Sequence, residues 1–180
     1  MTSPATLRPA TEADLPAIQR IYAHHVLTGL ASFEEIAPDV AELGGRWRAI
    51  VAAGLPYLCA VDGAAPDAAL LGYAYAGPYR PRSAYRYSVE DSVYIAPGAT
   101  GRGIGRALLL RLIQDCTEKG KRQMIAVIGD SANHPSIALH RACGFRPVGV
   151  FEAVGFKHGR WVDSVLMQRA LGAGAGSLPA

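Results

Sequence analysis

The chain has 180 residues, of which 50% are hydrophobic and 18% charged, and its formal net charge is +3. This length suits one domain, and the composition is that of an ordinary globular protein. Because the basic residues are scattered and form no run, the sequence predicts no nucleic-acid partner.

The cysteines and the N-terminus indicate where the protein works. Cys59, Cys116 and Cys143 lie far apart and have no neighbour at metal-ligand spacing, so we expect reduced thiols and no metal site. The first residues lack the basic start and apolar run of a signal peptide, and no apolar run approaches a membrane span. The sequence therefore predicts a cytoplasmic protein with no membrane partner.

Hydrophobic periodicity predicts elements in the order β-α-α-β-β-β-α-β-α-β-β. The strands are expected at Ala5–Arg8, Tyr57–Val61, Leu70–Ala76, Tyr85–Ile95, Met124–Ile128, Val148–Phe156 and Trp161–Met167. The helices are expected from Thr11 to Gly29, over Asp39–Ala53, from Ile104 to about Lys119 and up to Cys143. We expect a single domain over residues 1–171 and a flexible, low-complexity tail over residues 172–180.

A glycine-rich turn separates the long strand from the helix that follows it. Its residues are Gly101, Arg102, Gly103, Ile104, Gly105 and Arg106. Several backbone N–H groups and the positive end of the helix dipole would meet there, which suits phosphate oxygens. The two arginines would add positive charge at the rim.

Three kinds of glycine loop compete to explain this turn. A Walker loop needs Gly-Lys-Ser/Thr before its helix, which is absent here. A dinucleotide loop needs a later third glycine and an acid about 20 residues on, and the region Lys119 to Ile125 holds none. The remaining alternatives are the pyrophosphate loop described next and a plain connection without function.

The turn resembles the pyrophosphate loop of the GNAT acetyltransferases, Arg/Gln-x-x-Gly-x-Gly/Ala, although Thr100 departs from its first position. A second landmark, Asn133-x-x-Ser136-x-x-Leu139-His140-x-x-x-Gly144-Phe145, resembles the family's N-x-x-A-x-x-L-Y-x-x-x-G-F. The segments SVEDSVYI, AVIG, PSIALHRACGF and GFKHGRWVD are similar to the phosphinothricin acetyltransferase branch, which includes methionine sulfoximine and sulfone acetyltransferases. This resemblance extends from about Leu7 to Leu171.

The resemblance implies an α/β fold of the mixed-sheet (α+β) kind, with helices on both faces and a sheet splayed at an acetyl-CoA slot. It implies direct acetyl transfer from acetyl-CoA to the α-amine of a phosphinothricin-like or methionine sulfone- or sulfoximine-like amino acid. It also implies a homodimer with the acceptor pocket near the interface. The alternatives are a GNAT enzyme for a polyamine or a protein N-terminus, and a non-catalytic acyl-CoA-binding module.

For the donor, the resemblance implies that the glycine loop holds the pyrophosphate and that the backbone of Val93, Tyr94 and Ile95 runs beside the pantetheine arm. A bulge there would separate this strand from the next one. We expect the N–H of Tyr94 to stabilise the oxyanion and Asn133 to hold the pantetheine amide.

Glu90 is the expected base, acting directly or through a water, because burial in its strand would raise its pKa. Strict alternation places Glu90 on one face with Ser92, a further acceptor contact, and Asp91 on the other. A solvent-facing Glu90 is the alternative, and Asp91 would then be the base or a ligand of the acceptor ammonium. His140 replaces the family's usual tyrosine acid, and it either protonates the thiolate or packs without a chemical role.

The acceptor contacts are inferred mainly from the resemblance. Arg80 and Arg82, on either side of Pro81, suit a free carboxylate, whereas acidic residues would suit a polyamine. Lys157 and His158 are expected to meet the sulfone, sulfoximine or phosphinate group, and Phe33 and Glu34 to line the pocket. Tyr85 and Tyr87 are expected in the core.

Overall fold

The computed structural model describes residues 5–65 and 68–178. Its helices are α1 (Leu15–Thr28), α2 (Val40–Ala52), α3 (Ile104–Glu118) and α4 (His134–Ala142). Its strands are β1 (Thr6–Pro9), β2 (Tyr57–Val61), β3 (Leu70–Pro78), β4 (Ser88–Ile95), β5 (Gln123–Gly129), β6 (Arg146–Lys157) and β7 (Arg160–Ala170). The predicted element order and the mixed α/β fold are confirmed.

One seven-stranded sheet carries two hydrophobic layers, and its strand order is β1-β2-β3-β4-β5-β7-β6. On one face α1 and α2 pack against the sheet, and the predicted apolar stripe of α1 is buried: Leu15, Ile18, Ile21, Tyr22 and Val26. On the other face α3 buries Ile104, Leu108, Leu109 and Leu112. The helices therefore cover both faces, as the period of their apolar residues requires.

The predicted strand Tyr85–Ile95 is shorter than expected. Ser83–Tyr85 forms a 3₁₀ turn, in which the Tyr85 N–H donates to the Arg82 carbonyl at 2.9 Å, and β4 begins only at Ser88. Tyr85 and Tyr87 are half-buried and lie outside both core layers, so their assignment to the core was wrong. Local i→i+3 bonds outweigh the aromatic strand propensity of this segment.

The β4 and β5 strands separate soon after they begin to pair. Their parallel ladder runs only from Ser88↔Gln123 to Glu90↔Ile125. Beyond it β4 stays paired with β3 as far as Ile95, and β5 stays paired with β7 as far as Gly129. The β3–β4 register is unbroken, so a gap opens between β4 and β5 without the bulge that we expected in that ladder.

The segment between α1 and α2 packs across the mouth of this gap. A Cβ at Gly129 would overlap the Leu30 carbonyl oxygen, and a Cβ at Gly155 would lie 2.5 Å from the Phe33 ring. The ammonium of Lys157 donates to the Ser32 carbonyl at 2.6 Å. The ends of β5 and β6 thus hold this segment in place.

The sheet and both core layers extend from β1 to β7, which supports our proposal of one domain over residues 1–171. Turns follow Leu171, and Arg122 donates to the Leu178 carbonyl at 3.2 Å. Residues 1–4 and the last two residues of the predicted flexible tail lie outside the described residues, and the tail stays a prediction. In the described part of the chain, no helix is long and apolar enough to cross a membrane.

Candidate active site

Two cavities open on the two sides of the β4–β5 gap. The loop cavity, of about 670 Å³, is lined by the glycine loop, the end of α1 and the start of α4. The carboxylate cavity, of about 590 Å³, contains Glu90, Asp91 and Arg80 in its wall. Val93, Tyr94, Gly129, Asn133 and Ser136 line both cavities. The cavities therefore meet in the gap, where a group held in one reaches a group held in the other.

The glycine loop has the geometry of an anion cradle. Gly101 and Gly103 have φ values of 76° and 75°, which favour glycine, and the space where their Cβ atoms would stand is open. Gly103 caps α3 without a side-chain hydrogen bond, so the first N–H groups of the helix have no partner within it. The cradle therefore fits a pyrophosphate.

The two arginines of the loop differ in position. Arg106 lines the loop cavity together with Thr100, Ile104 and Gly105. Arg102 faces Asp62 instead, with its guanidinium 3.6 Å from the carboxylate, and it is not part of the cavity wall. The expected charge at the rim thus comes from Arg106.

Two backbone hydrogen bonds fix the direction of the β4 amides. The Tyr79 N–H donates to the Ser88 carbonyl at 3.4 Å, and the Ala96 N–H donates to the Leu71 carbonyl at 2.9 Å. Both bonds belong to the ladder with β3, whose register is unbroken between them. Since successive amides of a strand point to opposite sides, even-numbered residues of β4 face β3 and odd-numbered residues face the gap.

The expected oxyanion donor changes as a result. The N–H of Tyr94 points to β3, so its prediction as a free donor is corrected, and the N–H of Val93 faces the gap instead. The carbonyl of Ile95 also faces that side, where it accepts a 2.8 Å hydrogen bond from Nε2 of His25. His25 lines the loop cavity, and no sequence pattern identified it beyond its position on α1.

Asn133 caps α4 at the point where both cavities meet. Its side-chain oxygen accepts from the Ser136 N–H at 3.3 Å, and its side-chain nitrogen donates to the Gly129 carbonyl at 3.4 Å. The residue therefore fixes the start of α4 against the end of β5. Its contact with a pantetheine amide stays a prediction.

Glu90 and Asp91 lie on opposite faces of β4, at the end of its ladder with β5. Glu90 is paired across the β3 ladder with Gly77, which has no side chain, and it is half-buried. Burial raises the pKa of Glu90, and the nearby Asp91 carboxylate raises it further. Ser92 also lines the carboxylate cavity, as expected of an acceptor contact.

Asp91 and His140 form a buried pair. Nε2 of His140 lies 2.9 Å from Oδ2 of Asp91, and their side chains are 6% and 1% exposed. Nδ1 of His140 lies 2.8 Å from the Ser136 carbonyl, which only accepts, so Nδ1 donates. Burial alone would lower the pKa of His140, but the hydrogen bond and charge of Asp91 outweigh it and raise the pKa. Both ring nitrogens are thus occupied.

The expected carboxylate ligands are only partly brought to the cavity. Arg80 lines it, with its guanidinium 5.2 Å from the Tyr79 ring and 5.8 Å from the Tyr85 ring. Within the described residues, Pro81 and Arg82 line neither cavity and are exposed to solvent.

The hairpin residues do not reach the acceptor side. Lys157 is buried against the Ser32 carbonyl, and His158 occupies the exposed turn with a φ of 49°. Neither lines the carboxylate cavity, so their prediction as acceptor contacts is corrected. Phe33 does line the carboxylate cavity. Glu34 does not line it, and its carboxylate accepts a 2.8 Å hydrogen bond from the hydroxyl of Tyr22, which does.

Comparison with known proteins identifies the family. Residues 19–145 match the model of the acetyltransferase (GNAT) family. The chain belongs to the GNAT acetyltransferases. The predicted family, fold and enzyme class are therefore confirmed.

Three relatives cover nearly the whole chain. The phosphinothricin N-acetyltransferase of Alcaligenes faecalis is 58% identical, over 97% of this chain and 86% of that protein. The L-methionine sulfoximine/L-methionine sulfone acetyltransferase of Salmonella typhimurium is 38% identical, over 92% and 94%. The structure of a phosphinothricin acetyltransferase from Sinorhizobium meliloti in complex with acetyl-CoA matches with a TM-score of 0.94 and 50% identity, over 99% and 94%.

The buried pair of this GNAT acetyltransferase makes its stability depend on pH. Since folding raises the pKa of His140, the pair stabilises the fold fully below the unfolded value of about 6.5. That contribution is lost as pH rises through the folded pKa. Asp91→Asn is expected to lower the free energy of unfolding by about 2 kcal/mol at pH 6 and by less at pH 9. Urea denaturation at both pH values measures this difference.

Asp115→Asn is the matched control. Asp115 pairs with Arg111 on α3 at 2.7 Å, partly in solvent, and its loss is expected to cost well under 1 kcal/mol at either pH. An equal cost of Asp91→Asn at pH 6 and pH 9 would contradict an Asp91–His140 ion pair.

Proposed function

We propose that this GNAT enzyme acetylates the α-amine of a small amino acid whose side chain ends in a phosphinate, sulfone or sulfoximine group. The observation that carries the proposal is the meeting of the two cavities in the β4–β5 gap. One cavity offers an anion cradle, and the other offers two carboxylates and a guanidinium. The relatives named above act on acceptors of this class according to their names.

The donor is acetyl-CoA, which supplies the acetyl group as a thioester. The N–H groups at the start of α3 would hold its pyrophosphate, together with Arg106. The N–H of Val93 and the side chain of Asn133 would face the pantetheine arm from the two sides of the gap. The N–H of Val93 would then stabilise the charge that develops on the acetyl oxygen.

Glu90 would take the proton from the acceptor ammonium, directly or through a water. The amine nitrogen then forms its bond to the acetyl carbon while the thioester C–S bond breaks. The nitrogen gives up its second proton in this step, so that one proton ends on the thiolate and the other passes from Glu90 to solvent. A raised pKa suits Glu90 to this transfer because it brings base strength closer to working pH. Asp91 is the alternative base, but its Oδ2 is already occupied by His140.

The proposed role of His140 is positioning, not acid catalysis. Its Nδ1 donates to the Ser136 carbonyl and its Nε2 is directed to Asp91, so neither nitrogen is free for a thiolate. His140 would hold the Asp91 carboxylate at the wall of the carboxylate cavity. The acceptor ammonium would then meet negative charge from both faces of β4.

Arg80 is the proposed ligand of the acceptor carboxylate. It is the arginine that lines the carboxylate cavity in the described part of the chain, and the adjacent Tyr79 and Tyr85 rings limit its movement. Phe33, Phe151 and Val154 provide apolar contacts for the acceptor side chain. A cavity with a guanidinium beside apolar walls suits an amino acid better than a polyamine.

The acceptor class is tested by thiol release from acetyl-CoA with a panel of amines. The panel contains phosphinothricin, methionine sulfone, methionine sulfoximine, methionine, spermidine and a short peptide. We expect turnover with the first three and a rate at least about tenfold lower with the others. Turnover confined to spermidine or the peptide would contradict the acceptor class. Acetyl-CoA binding without any turnover would favour a non-catalytic module.

The base is tested by Glu90→Gln. Because a base must be deprotonated, wild-type kcat/KM is expected to fall as pH falls through the raised pKa of Glu90. The variant is expected to lose about 100-fold in kcat at pH 7 and to lack this acid limb. Glu118→Gln, on the exposed end of α3, is the control and should retain both properties. Near wild-type turnover by Glu90→Gln would remove Glu90 as the base.

We also propose that the enzyme is a homodimer. The outer strand β6 and the hairpin tip expose Val148, Val150, Phe156 and Trp161, which are between 48% and 66% exposed. Apolar side chains grouped on one edge strand are typical of a surface that a partner covers. Sedimentation equilibrium is expected to give twice the chain mass, and a monomer at micromolar concentration would contradict the dimer.

A cytoplasmic location remains our proposal. Cys59, Cys116 and Cys143 are free thiols and are all buried, which agrees with a reducing compartment. Cell fractionation checks this location, and recovery from the extracytoplasmic fraction would contradict it.

A further inference from the structure

Strand β6 contains a bulge opposite a single residue of β7. Phe151 pairs with Ser164 and Gly155 pairs with Val162, so three residues of β6 stand against Asp163 alone. The middle of these three, Ala153, has a φ of 50°, which is unusual for a residue other than glycine. Its N–H donates to Oδ1 of Asp163 at 2.9 Å.

The bulge changes which side chains reach the carboxylate cavity. In a regular strand Phe151 and Val154, three positions apart, would point to opposite faces. Because the bulge begins after Phe151 and includes Val154, this alternation is broken and both residues line the carboxylate cavity. The Asp163 carboxylate therefore holds the turn that brings these two apolar side chains together.

The other carboxylate oxygen of Asp163 holds a second turn, on the opposite side of β7. Oδ2 accepts a hydrogen bond from the Ser131 hydroxyl. The backbone carbonyl of Asp163 also accepts from the Asp130 N–H at 2.9 Å, and Asp130 has a φ of 71°. This turn joins β5 to α4 and ends at Asn133, whose N–H donates to the Asp130 carbonyl at 3.0 Å.

The side chain of Asp163 thus forms hydrogen bonds both to β6 and to the turn that follows β5. These hydrogen bonds from Ser131 and Ala153 lower the pKa of Asp163, so the side chain stays an acceptor at neutral pH. The turn on the β5 side supplies Asp130, Ala132 and Asn133 to the loop cavity. Asp163 itself lines neither cavity.

We propose that Asp163 is a positioning residue that sets the walls of both cavities, with Ser131 serving the donor side and Ala153 serving the acceptor side. It acts on binding through the two turns and contacts neither substrate. The part of this inference that concerns the carboxylate cavity rests on the proposed function, whereas the part that concerns the loop cavity requires only acetyl-CoA.

A matched position exists at the other end of the same strand. Gln168 on β7 also links both neighbours: its Oε1 accepts from Arg146 of β6 at 2.7 Å, and its Nε2 donates to Gln123 of β5 at 2.8 Å. Neither cavity includes Gln168. Gln168→Ala therefore removes the same number of cross-strand links without touching the site.

The test combines calorimetric titration with acetyl-CoA, acceptor KM, and the melting temperature of each variant. Asp163→Ala is expected to raise both the acetyl-CoA Kd and the acceptor KM about tenfold. Ser131→Ala is expected to raise the acetyl-CoA Kd alone. Asp163→Asn retains an oxygen for the Ala153 N–H and an amide for the Ser131 hydroxyl, so both constants should stay near wild type. Gln168→Ala should lower the melting temperature without changing either constant.

A purely structural role would give a different pattern. Asp163→Ala would then lower the melting temperature as Gln168→Ala does and leave both constants unchanged, which would overturn the proposal. If Ser131→Ala raised both the acetyl-CoA Kd and the acceptor KM, the assignment of Ser131 to the donor side alone would be overturned. If the wild type binds acetyl-CoA but acetylates none of the panel, the proposed acceptor fails, and the acetyl-CoA Kd of the variants still decides the role of Asp163.

Discussion

The site depends on one constraint, which is that β4 and β5 pair over only three residues. Past Glu90↔Ile125 the two strands follow different partners, and the ladder hydrogen bonds between them are not made. In the middle of a sheet this would leave backbone groups without partners, at a free-energy cost. Here the odd-numbered groups of β4 face a gap in which both cavities meet. The separation of the strands therefore leaves backbone N–H groups free to donate hydrogen bonds, and it opens the space in which the two proposed substrates would meet.

The two adjacent carboxylates at the β4–β5 gap lie in different surroundings, which is why we propose different roles for them. Among the residues that the structure describes, Glu90 forms no ion pair, and burial raises its pKa. Asp91, on the other face, is held by His140, whose remaining nitrogen is held by the Ser136 carbonyl. Glu90 is thus left free of a side-chain partner, whereas Oδ2 of Asp91 is occupied by His140. Environments that separate neighbouring acids in this way are typical of acid–base sites.

Local patterns allowed part of this site to be predicted from sequence. Gly101 and Gly103 directly precede a helix, which predicted the anion cradle. The period-two alternation of a strand predicted that Glu90 and Asp91 lie on opposite faces of β4. Contacts between distant segments could not be predicted. The ammonium of Lys157 donates to the carbonyl of Ser32, which is 125 positions away in the chain, and it therefore does not reach the acceptor side. The direction of the Tyr94 N–H depends on its register with β3, and side-chain alternation does not reveal it.

The central claim is that donor and acceptor meet in one gap and react directly. None of the three cysteines lines either cavity, so no thiol stands ready to carry the acetyl group. Initial rates measured while both substrates are varied test this claim most directly. The account predicts double-reciprocal lines that intersect, as a ternary complex requires. Parallel lines, which are the sign of a covalent acetyl-enzyme, would contradict it.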